Sequence, residues 1–322
     1  MPVPPAPLPA ALGTSFSCAA ARAAGVSRGR LTARDLDAPF RGARIVRCDI
    51  PPLTDDEPHN RRARDELRQR LAAYLPVMPR NAFVTGATAA VCFELPLARV
   101  PTSLDIAVPA PHRAPRRTGI RGRKLEPHLT ETTRLHPDGG FDITTPATTW
   151  ATLARDADVP ELVRLGDAIV RVPRDRRGVP TPQQRLATVD DLREVLARGR
   201  WLGAARLRRA LALVRVGSMS PLETDMRLAL LAEGLPEPQL DVEIRAADGR
   251  LLGIADAAYR DARVLIEVEG DHHRTIRAQW LRDIEKHEDY AHAGWRVVRL
   301  TSGHIRGARP HAGALVRRAW KG

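Results

Sequence analysis

The chain has 322 residues, a formal net charge of +13 and 43% hydrophobic residues. This length allows two or three domains with cores of their own, and the positive charge is typical of proteins with a polyanionic partner. Nearly all of the charge is arginine, so codon bias of the source genome explains it as well as DNA binding does. The apolar runs are too short to span a bilayer, and Cys18, Cys48 and Cys92 form no Cys-x-x-Cys pair. We therefore expect a soluble, cytoplasmic protein with no membrane contact, and the composition indicates no particular oligomeric state.

The first residues suggest a small DNA-binding module. Residues 1–14 are proline-rich and are predicted to be a disordered tail. In residues 15–50, a helical segment Ser15–Ala24 precedes a short helix that Ser27 can cap, and the β-rich FRGARIVRC follows. This order resembles the degenerate helix-turn-helix of AbiEi-type antitoxin regulators. The resemblance implies a winged-helix-like module in which Arg28 and Arg30 contact DNA, and solvated arginines on a small helical domain are the alternative.

The middle of the chain offers basic residues but no recognisable chemistry. Residues 60–180 mix strand and helix patterns and are predicted to form a central αβ domain, and residues 186–216 are predicted to be a helical linker. A loop rich in proline and glycine carries candidate phosphate contacts, for which a solvated loop remains the alternative. These candidates are Arg116, Arg117, Arg121, Arg123 and Lys124.

The most informative stretch is Gly253–His273, which predicts two strands joined by a tight turn. In the second strand, Val264–Glu269, alternation places Glu267 and Glu269 on the face opposite the valines. If the turn has an even length, Asp256 of the first strand lies opposite or diagonal to Glu267, on the same face. Carboxylates about 4–5 Å apart repel by roughly 3–4 kcal/mol at an effective dielectric near 20. A divalent cation would turn this repulsion into attraction, whereas a solvated sheet face is the simpler explanation.

These residues resemble the PD-(D/E)XK nuclease superfamily, and most closely its very-short-patch-repair-like endonuclease domains. The resemblance covers residues 218–305 and rests on SPLETDMR, GLPEP, the D…E-x-E-G-D-H-H core, WLRDIEKHEDY and GWRVVRL. It implies a restriction-endonuclease-like αβββαβ domain, followed by a basic tail at residues 306–322. It also implies DNA cleavage with Mg²⁺ or Mn²⁺ held by Asp256 and Glu267, with Glu223 or Glu269 completing or water-bridging the shell.

One departure concerns the superfamily's lysine, whose position is Glu269 here. Lys286, one of three lysines in the chain, is a candidate replacement, although an Asp283–Lys286 pair on a helix surface explains it nearly as well. The resemblance favours His273 as general base, and a histidine that only orders the strand end is the alternative. Glu223 also completes a Ser-x-x-Glu capping box, a structural role compatible with metal binding.

We therefore predict an α+β protein with an N-terminal winged-helix-like module, a central αβ domain and a C-terminal restriction-endonuclease-like domain. Its predicted activity is metal-dependent hydrolysis of DNA. The alternative is a non-catalytic DNA-binding regulator that keeps the nuclease fold as a scaffold. The missing lysine is the main reason to retain that alternative.

Overall fold

The computed structural model of the chain describes residues 5–47, 60–135, 140–270 and 286–321. The chain forms two compact units, Met1–Leu153 and Ala154–Gly322. Both units contain helices and sheets, so the predicted α+β class is confirmed. Within the described ranges, no helix is long and apolar enough to cross a membrane.

The first unit begins with a three-stranded sheet in the order β1-β3-β2. Its elements are β1 (Ser15–Ser17), α1 (Cys18–Ala23), β2 (Leu36–Asp37) and β3 (Ala43–Val46). The helix predicted from Ser15 begins only at Cys18, because Ser15–Ser17 pair with β3 and the Ser17 hydroxyl then caps α1 by accepting the Ala20 N–H at 3.0 Å. The second predicted helix is a single 3₁₀ turn, Arg30–Thr32.

A six-stranded sheet in the order β6-β7-β5-β4-β9-β8 completes the first unit. Its strands are β4 (Phe83–Val84), β5 (Leu104–Pro109), β6 (Arg116–Arg117), β7 (Ile120–Leu125), β8 (Thr132–Leu135) and β9 (Phe141–Thr144). The helices of this part are α2 (Arg61–Tyr74), α3 (Gly86–Cys92) and α4 (Pro146–Leu153). Asp105 of β5 is fully buried and accepts the Ala87 N–H at 2.9 Å, so its carboxylate fastens α3 to the sheet.

The second unit opens with four helices. They are α5 (Val159–Val170), α6 (Val189–Ala197), α7 (Ala204–Leu213) and α8 (Pro221–Ala232). Asp167 of α5 and Arg227 of α8 form an ion pair of 2.9 Å with both side chains buried. The helices predicted as a linker therefore belong to the same compact unit as residues 218–305.

The sheet of the second unit has the order β10-β11-β12-β13. The strands are β10 (Gln239–Arg245), β11 (Leu251–Tyr259), β12 (Val264–Glu269) and β13 (Arg296–Thr301). The first three strands are antiparallel neighbours, whereas β12 and β13 run parallel. Residues 286–292 are helical (α9), and α10 (Ser302–Arg306) and α11 (Ala312–Lys321) follow β13. Alternation along β12 is as predicted: Ile266 packs with α8, whereas Leu265 packs with Tyr290 of α9.

The C-terminal helices contribute to the core and to the candidate site. The predicted basic tail contains α11, whose Ala312 and Val316 are buried in the core beside Leu230 of α8. In the described part of α9, Tyr290 is buried, whereas the alanine that follows it, Ala291, is exposed. The face of α9 that meets the sheet therefore carries polar groups.

Candidate functional site

The two predicted strand carboxylates lie where β11 and β12 stop pairing. The turn between the strands has four residues, and the strand pair nearest the carboxylates joins Ala257 to Ile266. One further step in this register sets Asp256 opposite Glu267. There, Asp256 Oδ2 accepts the Val268 N–H at 2.6 Å. The Asp256 carboxylate thus replaces a backbone carbonyl as the acceptor where the backbone hydrogen bonds between β11 and β12 end.

Lys286 reaches this point from α9. Its Nζ lies 2.9 Å from Oε1 of Glu267, whose side chain is 14% exposed. The same Nζ donates to the carbonyl oxygen of Ile254 at 3.0 Å. Lys286 therefore links the neighbouring strands β11 and β12. Asp283, the alternative partner, lies outside the described residues.

Tyr290 and Gly253 complete the surroundings of the lysine. Tyr290 lies one turn after Lys286 with its ring centroid 5.4 Å from Nζ, and burial and the charges of Glu267 and Asp256 raise the pKa of its hydroxyl. That hydroxyl is buried and has no hydrogen-bond partner among the described residues. A Cβ on Gly253 would lie 2.8 Å from Lys286 Cε and closer still to the Tyr290 hydroxyl. Sequence reasoning gave neither residue a role, although the i, i+4 spacing of Lys286 and Tyr290 was a usable signal.

Glu223 joins the site from the start of α8. Its N–H donates to the Ser220 hydroxyl at 3.2 Å, and its Oε2 accepts the Met219 N–H at 2.7 Å. Glu223 is only 7% exposed, and burial together with the charge of Asp256 raises its pKa to about 7. The Ser220 hydroxyl thus caps α8, whereas the Glu223 side chain binds the N–H one residue before the cap and not that of Ser220, as the predicted capping box required. The Glu223 carboxylate also interacts electrostatically with a strand carboxylate.

Glu269 is engaged elsewhere, in an ion pair with Arg299 of β13. The strand position at which the superfamily has lysine therefore carries a carboxylate with a cation of its own. His273, the expected general base, lies outside the described residues.

The donor chemistry of the site fits a hard divalent cation. Glu223 and Asp256 are carboxylates close enough for one charge to disfavour the other, and a cation would relieve that repulsion. Among the described residues, however, no group of three or more Asp, Glu, His or Cys side chains is arranged to hold a metal. The arrangement therefore offers carboxylate ligands without a complete shell in the described ranges.

The predicted DNA contacts of the first unit fall into two groups. Arg30 pairs with Asp35 at 2.6 Å, and Arg121 and Arg123 are directed to the buried Asp105, which lies 3.6 Å from Arg123 Nε. These three arginines stabilise the fold. The sequence did not reveal this role for Arg121 and Arg123 because their partner Asp105 is buried in a different strand, whereas Asp35 lies only five residues after Arg30 and was a usable signal. The remaining candidates, Arg28, Arg116, Arg117 and Lys124, are exposed.

No protein-family model matches the chain, and comparison with curated proteins finds no match. The function of the site is therefore argued from its residues, their geometry and the motif resemblance described above.

Proposed function

We propose that the second unit hydrolyses DNA phosphodiester bonds with the help of a divalent cation, as PD-(D/E)XK nucleases do. The observation that carries this proposal is the convergence of Asp256, Glu267 and Lys286 at one point of the sheet. The order α8, β10, β11, β12, α9, β13 adds support, because it is the αβββαβ order expected for a restriction-endonuclease-like domain.

Each residue has a distinct part in this proposal. Asp256 and Glu267 would hold Mg²⁺ or Mn²⁺, with Glu223 completing or water-bridging the shell. When bound, the cation would polarise the phosphate and acidify a water molecule. Lys286 holds a positive charge beside Glu267, where it can stabilise the negative charge that builds on the phosphate oxygens. By the resemblance, His273 would accept the proton of the attacking water.

Plasmid cleavage with Mg²⁺ or Mn²⁺ tests the proposal. Wild-type protein should nick or linearise the plasmid, and Asp256→Ala and Glu267→Ala should not, while their circular dichroism stays that of a folded protein. Asp261→Ala, which removes an exposed carboxylate from the turn of the same hairpin, is the matched control and should cleave normally.

Calorimetry separates the nuclease from a non-catalytic regulator. A nuclease should take up Mg²⁺ or Mn²⁺ at millimolar concentration, and Asp256→Ala should reduce that uptake. A folded protein that binds duplex DNA with a steep salt dependence, takes up neither cation and never cleaves is a regulator. The ion pair between Glu269 and Arg299 is the feature that favours this second function.

A further inference from the structure

A short turn between α5 and α6 is held rigidly against β10. Arg174 Nε lies 2.9 Å from both carboxylate oxygens of Asp241, and Arg174 Nη1 bonds to Glu243 at 3.3 Å and to the Gly178 carbonyl at 2.5 Å. Arg174 also forms a β-bridge with Pro180. Arg174 therefore closes the turn and attaches it to the sheet with the same guanidinium group.

The tip of this turn presents two arginines to solvent. Asp175 Oδ1 accepts the N–H groups of Arg177 at 2.8 Å and Val179 at 2.9 Å, and Gly178 adopts a left-handed φ of 78°. Arg176 and Arg177 lie at the bend and are exposed, and neither has an ion-pair partner in the described part of the chain. The backbone is thus fixed while two cationic side chains remain free to bind.

The turn lies at the rim of the candidate site. A Cβ on Gly178 would lie 3.2 Å from Ile254 Cδ1, and Ile254 supplies the carbonyl that accepts the Lys286 hydrogen bond. Ile254 precedes Asp256 by two residues, which is roughly 7 Å along a strand. Asp241, the anchor of Arg174, falls opposite Asp256 in the β10–β11 register.

The charges around the candidate site favour a positively charged DNA contact at this turn. Asp256, Glu267 and Glu223 make the centre of the site acidic, and an acidic surface repels the phosphates of DNA. Arg174 and Arg245 together offset the charges of Asp241 and Glu243, since Arg174 binds both carboxylates and Arg245 binds Glu243. Arg176 and Arg177 outnumber Asp175, the acidic residue of the turn, so the tip of the turn keeps a net positive charge beside the acidic centre. A preordered turn also lowers the entropy cost of binding.

We propose that Arg176 and Arg177 bind backbone phosphates of the DNA strand next to the bond that is cleaved. The inference rests on the proposed nuclease function, because it names the substrate contact of that same site. Phosphodiester groups are the chemistry it selects: guanidinium groups bind phosphate oxygens in a forked geometry without reading the base sequence.

The test compares two full-length double variants in a duplex-binding assay without divalent cation, so that cleavage does not interfere. One is Arg176→Ala/Arg177→Ala. The other, Arg208→Ala/Arg209→Ala, removes two exposed arginines of α7 in the same unit and is the matched control. Each lost phosphate contact lowers the slope of log K against log salt by about 0.9, which is about 5-fold in affinity at physiological salt. The DNA affinity of the turn variant should fall about 30-fold and its salt slope by about 1.8. The affinity and slope of the control should change much less.

The outcomes separate this inference from the proposed function. If wild type cleaves DNA but the turn variant binds DNA as tightly as wild type, the turn is not a DNA contact. If both double variants lose the same affinity, the contact is not specific to the turn. If only the turn variant loses affinity and wild type never cleaves, the contact stands and the nuclease proposal fails. If the folded wild-type protein binds no duplex, both fail.

Discussion

Lys286 on α9 lies 2.9 Å from Glu267 on β12, so the cation beside this carboxylate comes from a helix and not from the strand that carries the carboxylate. The strand position two residues after Glu267 is Glu269, which Arg299 neutralises. The positive charge that β12 lacks is thus supplied by Lys286 of α9, which lies beside Glu267 in the folded chain. A positive charge held against a mostly buried carboxylate is preordered, which is the condition for stabilising charge in a transition state.

Lys286→Gln tests whether this charge serves chemistry. We expect cleavage of plasmid DNA to fall by about 100-fold or more, because a preordered donor aimed at developing charge is worth that much in rate. Lys321→Gln, at the last residue of α11, is the control and should cleave normally. Cleavage by Lys286→Gln at the wild-type rate would reduce Lys286 to a structural ion pair.

Gly253→Ala should disturb the site without removing any of its charges. The new methyl group would lie 2.8 Å from Lys286 Cε and even closer to the buried Tyr290 hydroxyl, so the Lys286 and Tyr290 side chains, or the elements that carry them, must shift. We expect a loss of about 1–3 kcal/mol in the free energy of unfolding, measured by urea denaturation, since overpacking costs this much.

Lysine-selective NMR gives the local readout for the same variant, because the chain has three lysines, at positions 124, 286 and 321. The side-chain signal of Lys286, which lies over the Tyr290 ring, should move in Gly253→Ala. Gly303→Ala is the control, since the nearest atom to its Cβ is 3.7 Å away. Wild-type stability together with an unmoved Lys286 signal would contradict the crowding argument.

The sequence predicted the parts of the fold that depend on short-range patterns. The period-two alternation of β12 was predicted, whereas the length of the turn before it was left open. The four-residue turn meets the condition of an even length, and the register then sets Asp256 opposite Glu267. The orientation of α9 was not predictable from hydrophobicity, because its buried face carries a lysine and a tyrosine that depend on the space left by Gly253. Helix α11 was missed because its arginines obscure an apolar stripe, Ala312, Leu315, Val316 and Ala319, at helical spacing.

Long-range ion pairs could not be predicted from the sequence, for a different reason. Arg174 binds Asp241 across 67 residues, and no local spacing pairs one arginine with one aspartate in a chain this rich in arginine. The position of the turn that carries Arg176 and Arg177 depends on that pair. The phosphate contact that we propose for this turn could therefore be inferred only from the folded chain.

Glu223→Gln should change stability in a pH-dependent way. Burial and Asp256 raise the pKa of Glu223 from 4.5 to about 7, so the folded protein holds a proton that the unfolded chain releases. The stabilisation from this proton is fully present below about pH 4.5 and is lost as the pH rises through about 7. Glutamine mimics the protonated acid, so Glu223→Gln should match wild type near pH 4.5 and exceed it near pH 8, by at most about 3 kcal/mol.

Urea denaturation of metal-free protein at these two pH values measures the difference. Glu194→Gln, which removes an exposed carboxylate from α6, is the matched control. A stability difference between Glu223→Gln and wild type that stays constant with pH would show that burial and Asp256 do not raise the pKa of Glu223.

The buried pair of Asp167 and Arg227 should be strongly coupled. Arg227 is fully buried one turn after Glu223, and Asp167 also accepts the Arg215 N–H at 2.8 Å and the Thr224 hydroxyl at 2.9 Å. Arg227→Met leaves a buried carboxylate without its cation and should cost about 3–5 kcal/mol in unfolding free energy. Asp167→Asn/Arg227→Met should cost less than the sum of the single variants, because no charge is stranded.

A surface pair in the same unit provides the control for this cycle. Arg193 and Asp190 form an ion pair on α6 with both side chains exposed, and Arg193→Met should cost less than about 1 kcal/mol. Urea denaturation of the four proteins of the Asp167–Arg227 cycle gives the coupling energy. If the losses in unfolding free energy of the two single variants simply add up in the double variant, the pair has no coupling energy. The packing of α5 against α8 would then not depend on this ion pair.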